Sequence, residues 1–412
     1  MNRDAPIFYV KVSPKGARGD PQERVDVSGR ILGFGFEDDE KKADVLKLSV
    51  DNFDLTQIDG PHWRKGQVLI AAWGYVGAMT PERECVIKKV SGSNPLTIEA
   101  HAKSVLMDRE IRSRTWDNKT RSEVVKEIAE ANGYLGDRVH IQATEVKYES
   151  ITQARLSDAQ FLRHLANKEG FEFFVDFDGL HWHERKLGQR PVKTLTYYID
   201  PGKGDIQKWS IDGDITKRPS SVKLRGRDPL RKATFEAKAD NQSTSNRDTL
   251  GDTLEVIDAQ TGASLGDRSI NTSHDETLPT SEASKEGAER AAAGRYKRAQ
   301  ANTIKLTVEI IGDPDLVAKS VIQVNGIGET LSGRYYISSI SNDVQSGGFL
   351  QKLRLKRDAS SSSASGGGVA AAGKKNAQPA KQNGGDPVPV EVIDPVTGKS
   401  RGTRYVDNKG RE

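Results

Sequence analysis

The sequence predicts a mainly β chain with an α+β insert, and three observations carry that expectation. Short β-branched or alternating runs, split by Gly, Pro, Asn and Ser, fill residues 7–105 and return after Leu195. Between them one amphipathic helix is written twice, at 120–134 and at 157–171. From residue 359 the chain turns to Ser, Gly, Ala, Lys, Gln and Asn, with almost nothing to bury. The expected division is a first small β-barrel over 1–105, an α+β domain over 106–190, and a second β-barrel over 191–358 interrupted by a polar insertion at 239–279. A flexible linker and tail peptide over 359–412 complete it.

In the first barrel the expected strands are Phe8–Val12, Arg24–Val27, Asp44–Val50, Gln67–Tyr75, Glu84–Val90 and Leu96–Ala100. Short strands at such spacing suit a small barrel. Each helix of the repeat then begins with a capping box, Thr120 with Glu123 and Ser157 with Gln160. Apolar residues fall at matching positions, Val124/Phe161, Val125/Leu162, Ile128/Leu165 and Ala129/Ala166, one buried stripe in each copy. Gly133 and Gly170 end the helices, and Tyr134 or Phe171 folds back onto the stripe. The run Phe171–Glu184 reads as a hairpin bent at Asp178-Gly179.

Val222–Arg225 and Thr234–Lys238 are expected to open the second barrel. An Ala-rich helix over Glu282–Arg298 follows, its small face (Ala283, Gly287, Ala291, Gly294) suited to close approach to a sheet. Thr303–Ile311, Ser320–Val324, Arg334–Ile340 and Phe349–Arg357 complete the barrel. In the tail, Glu391-Val392-Ile393-Asp394-Pro395-Val396-Thr397-Gly398 repeats the pattern of residues 255–262. It reads either as plain turn chemistry or as a tethered peptide that adds a strand to a partner.

Composition agrees. Only 35% of the 412 residues are hydrophobic and the mean hydropathy is −0.63, which fits thin barrels completed by subunit neighbours and equally a long polar tail. The net charge of +4, from 62 basic and 58 acidic residues, gives no case for general nucleic-acid or membrane affinity. Cys85 is the only cysteine, so no intrachain disulfide forms, and in a strand-like run it reads as a packed thiol. The N-terminus has no apolar signal core, and the run Val68–Trp73 is too short to span a bilayer.

Searches for chemistry assign no catalytic, cofactor or metal residue. His181 and His183 share a strand face, but no third ligand is spaced to join them and Glu184 points to the other face. Asp176 and Asp178 lie in the hairpin turn, where aspartate caps backbone. There is no Walker loop, no G-x-S-x-G and no zinc-finger spacing. Arg334-Tyr335-Tyr336 and the alternating Lys352–Arg357 read as amphipathic strand with one side on a core.

The second helix copy, Gln153-x-x-x-Ser157-Asp158-x-x-Phe161-Leu162-x-x-Leu165-Ala166-x-x-x-Gly170-Phe171 leading into a hairpin, resembles the phage late control D family of tail hub proteins. That family includes the hub part of VgrG spikes of type VI secretion. Gly312-Asp313-Pro314-Asp315-Leu316, Val324-Asn325-Gly326-Ile327-Gly328 and Gly333-Arg334-Tyr335-Tyr336-Ile337 resemble its C-terminal barrel motif, and Leu46–Asn52 through Gly66-Gln67-Val68 is a weaker match. Lys319-Ser320 stands where the family usually has a turn glycine, and Asn342-Asp343 where a histidine is common.

The resemblance implies two tail-tube-like barrels per chain and a non-enzymatic homotrimer, a pseudo-sixfold ring joining a hexameric tail tube protein to a separate central spike protein beside other baseplate proteins. The implied place is the baseplate of a virion tail or injection particle assembled in the bacterial host cytoplasm, with no cofactor, no membrane insertion and no specific nucleic-acid binding. Two other readings are a hub that also acts in peptidoglycan degradation and a free-standing binding module.

Overall fold

The computed structural model describes residues 5–13, 24–197, 204–213, 219, 221–228, 232–240, 275–280, 282, 284–301, 304–328, 331–345, 347–358, 388–393 and 400–406. The chain divides into two units, Met1–Ala364 and Ser365–Glu412. The first β module comprises β1 (Pro6–Val12), β2 (Val25–Asp26), β3 (Ile31–Asp39), β4 (Val45–Val50), the short helix α1 (Thr56–Asp59), β5 (Val68–Tyr75), β6 (Ala78–Met79), β7 (Arg83–Gly92) and β8 (Leu96–Ala102). Its strands pair antiparallel in the order β2-β1-β5-β7-β8-β4-β3, with β6 on β5.

Period-2 patterning builds this module: Leu46, Leu48 and Val50 point inward from β4 while Lys47 stands out. The ring of Trp73 lies 5.3 Å from that of Phe34 and 4.5 Å from that of Phe36. β3 is missing from the sequence expectation because Gly33 and Gly35 punctuate it, yet its phenylalanines alternate into the core on either side of Gly35.

The middle region holds β9 (Ile111–Thr120), α2 (Arg121–Ala131), β10 (Val139–Ile141), β11 (Lys147–Ser157), α3 (Asp158–Glu169), β12 (Glu172–Val175) and β13 (Leu180–His183). Both helices carry the expected capping boxes. Tyr134 N–H donates to the Ala129 carbonyl (3.0 Å) and Phe171 N–H to that of Ala166 (2.8 Å), the backward bonds of a Schellman stop, with Gly133 and Gly170 at positive φ. All eight stripe residues are buried in one core around Trp182. The repeat is larger than the sequence shows. A strand precedes each helix, and β9 and β11 pair antiparallel, so strand–helix–strand is the duplicated unit. The hairpin β12–β13 forms as expected, and β10 joins it parallel to β13.

The remainder of the first unit contains β14 (Thr194–Thr196), β15 (Ile206–Gly213), β16 (Ser221–Arg227), β17 (Thr234–Asp240), β18 (Asp275–Pro279), α4 (Lys285–Gln300), β19 (Ile304–Ile311), β20 (Val321–Asn325), β21 (Gly333–Gln345) and β22 (Gly348–Arg357). β15, β19, β22 and β21 run antiparallel, with β20 on β21 and β14 parallel to β20.

Two expectations change here. β16 and β17 do not open this module but form a separate sheet with β18, parallel to β16, and α4 covers it. The helix face that meets the sheet is Ala288, Ala292 and Tyr296. Gly294 instead meets α3: a Cβ on Gly170 would lie 2.6 Å from the Gly294 Cα, so the two backbones touch. Ala283 lies outside the described residues, as do residues 241–274 and 359–385.

β21 also pairs with β3, from Ser339 opposite Asp39 to Val344 opposite Phe34. The two β modules are therefore one continuous sheet. In the second unit β23 (Val388–Ile393) and β24 (Ser400–Val406) pair antiparallel, and the expected turn over 394–398 lies outside the described residues. No helix among the described residues is long and apolar enough to cross a membrane.

If the duplicated helices are equivalent supports of one core, Ile128→Asp and Leu165→Asp each bury an unpaired charge and each cost about 4 kcal/mol. Urea denaturation of the two variants should give losses of similar size.

Candidate functional site: a buried ionic seam between the modules

Where β3 meets β21, charge is buried. Lys319, in the loop between β19 and β20, pairs with Asp38 at the end of β3 and lies 3.7 Å from Asp44 just before β4. All three side chains are at most 7% exposed. The Lys319 ammonium also sits 4.9 Å from the ring centroid of Phe174 on β12, so one cation touches both β modules and the middle hairpin. Lys319 has φ +66°, the left-handed conformation that favours glycine. The backbone thus keeps a glycine-like turn here while the lysine side chain holds the seam.

Electrostatics divides the two aspartates. Burial alone would raise Asp38, but Lys319 and then Arg83 hold its carboxyl below the usual range. Burial, and next the charge of Asp38, push Asp44 up to about 8, so it carries a proton at neutral pH. The cluster is thus one carboxylate, one carboxylic acid and one ammonium whose own value burial would lower but the two aspartates raise.

A second cluster begins two residues further on. Glu40 accepts from Arg185 (2.8 Å) and pairs with Lys356 of β22. Arg185 lies 3.6 Å from Glu172 of β12 and 5.1 Å from the ring centroid of Tyr336 on β21, whose hydroxyl donates to Glu172 (2.7 Å). Three regions again converge. A neutral network runs beside them: Asn342 donates to the Phe36 carbonyl (3.2 Å) across the seam, and Gln351 donates to Asn342 (2.8 Å) and to the Asp313 carbonyl (2.9 Å). Asn342 thus also ties the modules together. The middle region is fixed to the chain before α4 through Arg121, 2.8 Å from Glu169 and 2.7 Å from Glu282, all buried.

The residues weighed for chemistry fall elsewhere. His183 Nδ1 donates to the Glu184 carbonyl (2.8 Å), and Glu184 pairs with Lys297, so the two make no shared ligand set with His181. Asp176 caps the hairpin turn, accepting from the N–H groups of Asp178 (2.9 Å) and Gly179 (3.2 Å). Tyr335 and Tyr336 are buried, and Leu353 and Leu355 face the core with Lys352 and Arg354 outward. Arg357 continues that alternation inward. It is fully buried, donating to the Leu331 and Ser332 carbonyls (3.3 and 3.2 Å) over the ring of Tyr335. Cys85 is buried, which pushes its thiol up.

Among the described residues, the lining of a cleft of about 980 Å³ between Arg163, Glu172, Arg185, Glu276 and Arg298 includes no histidine, serine or cysteine. Glu172, raised first by burial, is closed off by Tyr336 and Arg185.

This fold is found among tail proteins of bacterial viruses. A tail protein of Neisseria meningitidis MC58 is 14% identical with a TM-score of 0.61, over 85% of this chain and 97% of that one. The 43 kDa tail protein of prophage MuSo2 from Shewanella oneidensis is 13% identical with a TM-score of 0.57, over 86% and 100%. A type VI secretion component of E. coli, described as structurally similar to the T4 tail proteins gp27 and gp5, is 10% identical with a TM-score of 0.50, over 84% and 76%. At these identities the likeness is one of fold. The chain belongs to the family whose model is described as the Alg8 N-terminal domain, matched over residues 79–346. That family is not the late control D family its motifs resemble, and the matched span runs from the end of β6 to the turn after β21. No curated protein matches the chain.

The seam has a pH signature. The folded value of Asp44 lies above its unfolded value of about 3.9, so its contribution is full below that value and is lost as pH rises through about 8. Asp44→Asn keeps a neutral group in place; it should change stability at neutral pH by less than about 1 kcal/mol and flatten the loss that accrues as pH rises from about 4 to about 8. Asp38→Asn removes the nearer carboxylate and the charge that raises Asp44, so Asp44 should ionise against Lys319 and the loss should stay below the roughly 3–5 kcal/mol of a stranded buried charge. Denaturant midpoints of both variants between about pH 6 and pH 9 check the pair.

Proposed function

We propose that this chain is a structural hub of the late control D type in the baseplate of a phage tail or related injection particle. The observation that carries the reading is the seam: two β modules locked into one sheet by β3–β21 pairing and buried ions. A protein that presents duplicated surfaces to a symmetric partner needs those surfaces at a fixed angle. The likeness in fold to tail proteins over 85% or more of the chain supports it.

In this reading three chains close a ring in which six β modules meet a hexameric tail tube protein, while the true threefold contacts serve a central spike protein; cyclic closure ends growth at one ring. The sheet ends in β15 on one side and in β2 on the other, where Ile211 and Val25 are exposed, and such edges are templates for pairing with a neighbour. The chain is divided in this reading as 1–105, 106–190, 191–358 and 359–412, with the β16–β18 sheet and α4 as a layer apart from the second β module. The role is non-enzymatic: it rests on contacts, with the genome or cargo passing through the ring. The site of action is the baseplate, assembled in the host cytoplasm with other baseplate proteins.

Light scattering of the purified chain at micromolar concentration should give three times the chain mass, and electron microscopy a ring with a central channel; a monomer with no ring in assembled particles overturns the reading. Truncation after Asp358 removes β23–β24 and should leave the ring intact while lowering spike occupancy in particles, because a tethered strand contributes mainly effective concentration and main-chain hydrogen bonds at a partner's edge. Normal occupancy with the truncated chain would make the tail a passive extension.

A further inference from the structure

The parallel pairing of β10 with β13 sets His140 directly beside His181. Their rings stack with centroids 4.4 Å apart, and the turn between β12 and β13 brings Asp178 to the same place. Each of the three residues offers a donor atom, and the three donors lie within 4.8 Å of one another. Two details separate this from a casual surface cluster.

His140 Nε2 is buried and makes no hydrogen bond, although an Asp178 carboxylate oxygen lies 3.1 Å away. A nitrogen and a carboxylate oxygen this close, with no hydrogen bond between them, leave both free to take a shared ion. The surroundings are also built. Asp176 Oδ1 lies 3.1 Å from His181 Nε2 and accepts from the N–H of Asp178, so one carboxylate fixes both the second imidazole and the turn that carries the third donor. Phe174 stacks on the far face of His181 at 4.5 Å and pins the ring from behind. Carboxylate support of a ligating histidine is the usual arrangement around bound metal.

We propose that His140, His181 and Asp178 form a binding site for a divalent transition-metal ion of the zinc class. Two imidazoles and a carboxylate are a ligand set that such ions take, with a remaining position open to water or to a donor from another chain. Hard cations such as Mg²⁺ and Ca²⁺, which prefer all-oxygen shells, do not match it. Asp178 is exposed, so the open position faces outward. The ion would clip β10, only three residues long, to the hairpin turn. Sequence spacing hides the site, because His140 and His181 are far apart in the chain and become neighbours only through a parallel pairing.

The test uses the untagged full chain, stripped with chelator and titrated with ZnCl₂ by calorimetry and with CoCl₂ by visible absorption. One zinc per chain, a rise in the thermal midpoint on adding zinc, and the d–d bands of a low-coordinate cobalt site are expected. His140→Ala and Asp178→Asn should each weaken binding at least tenfold, and His183→Ala on the same strand should leave it unchanged. Circular dichroism in chelator establishes that each variant is folded. Failure of the wild-type chain to bind zinc saturably, or equal binding by the wild type and a folded His140→Ala variant, overturns the proposal.

Discussion

Pairing of β3 with β21 is the constraint on which the rest of the first unit depends. A backbone ladder alone does not choose its register, and a slip of one residue would turn every side chain of β3 to the opposite face. Phe34 and Phe36 oppose such a slip from the core side. Asp38 and Glu40 oppose it from the charged side, since each must reach a buried cation on the second module, Lys319 and Lys356 respectively. Such pairs add little net stability, but an alternative that leaves one charge buried without its partner is strongly disfavoured. The apolar and ionic contacts therefore select the same register by different physics. The middle hairpin is held by the same groups, through Phe174 on Lys319 and Glu172 on Arg185.

What was legible in the sequence is what is local. The helix repeat was readable to its caps and stops, because a capping box, a stripe and a C′ glycine all lie within one segment. Most strands of the first module were readable from alternation. β3 was not, because two glycines outweigh two phenylalanines when only local pattern is available, and it is the strand that joins the modules. The assignment of β16 and β17 failed for a related reason: alternation shows that a strand has one buried face and not which sheet it joins.

The seam was legible only as two anomalies. Lys319-Ser320 and Asn342-Asp343 stood out as departures from a family pattern, with no local reason for either. In the fold both make contacts across the join, the lysine through its ammonium and the asparagine through its amide. Arg357 escaped for another reason: alternation puts it inward with Leu353 and Leu355, but its charge made it read as part of the basic outer face, whereas in the fold it packs against Tyr335. His140 had no signal at all. Its partner lies across a parallel pairing, which sequence spacing cannot encode.

These points bear on the low apolar content of the chain. The first module does not close its core with its own residues: Val344 and Phe349, from β21 and β22, pack among Phe34, Trp73 and Tyr75. The Tyr75 hydroxyl donates to the Gly312 carbonyl (3.1 Å), and a Cβ on Gly312 would lie 2.1 Å from the ring of Phe349, so the turn after β19 is pressed against that shared core. A segment cut at residue 105 would lose those two side chains and leave β3 as an open edge, with Asp38 deprived of Lys319 and Glu40 of Arg185 and Lys356. Each module thus supplies part of what the other lacks in buried surface. The sequence writes two β modules, and the physics of thin cores makes them one continuous sheet.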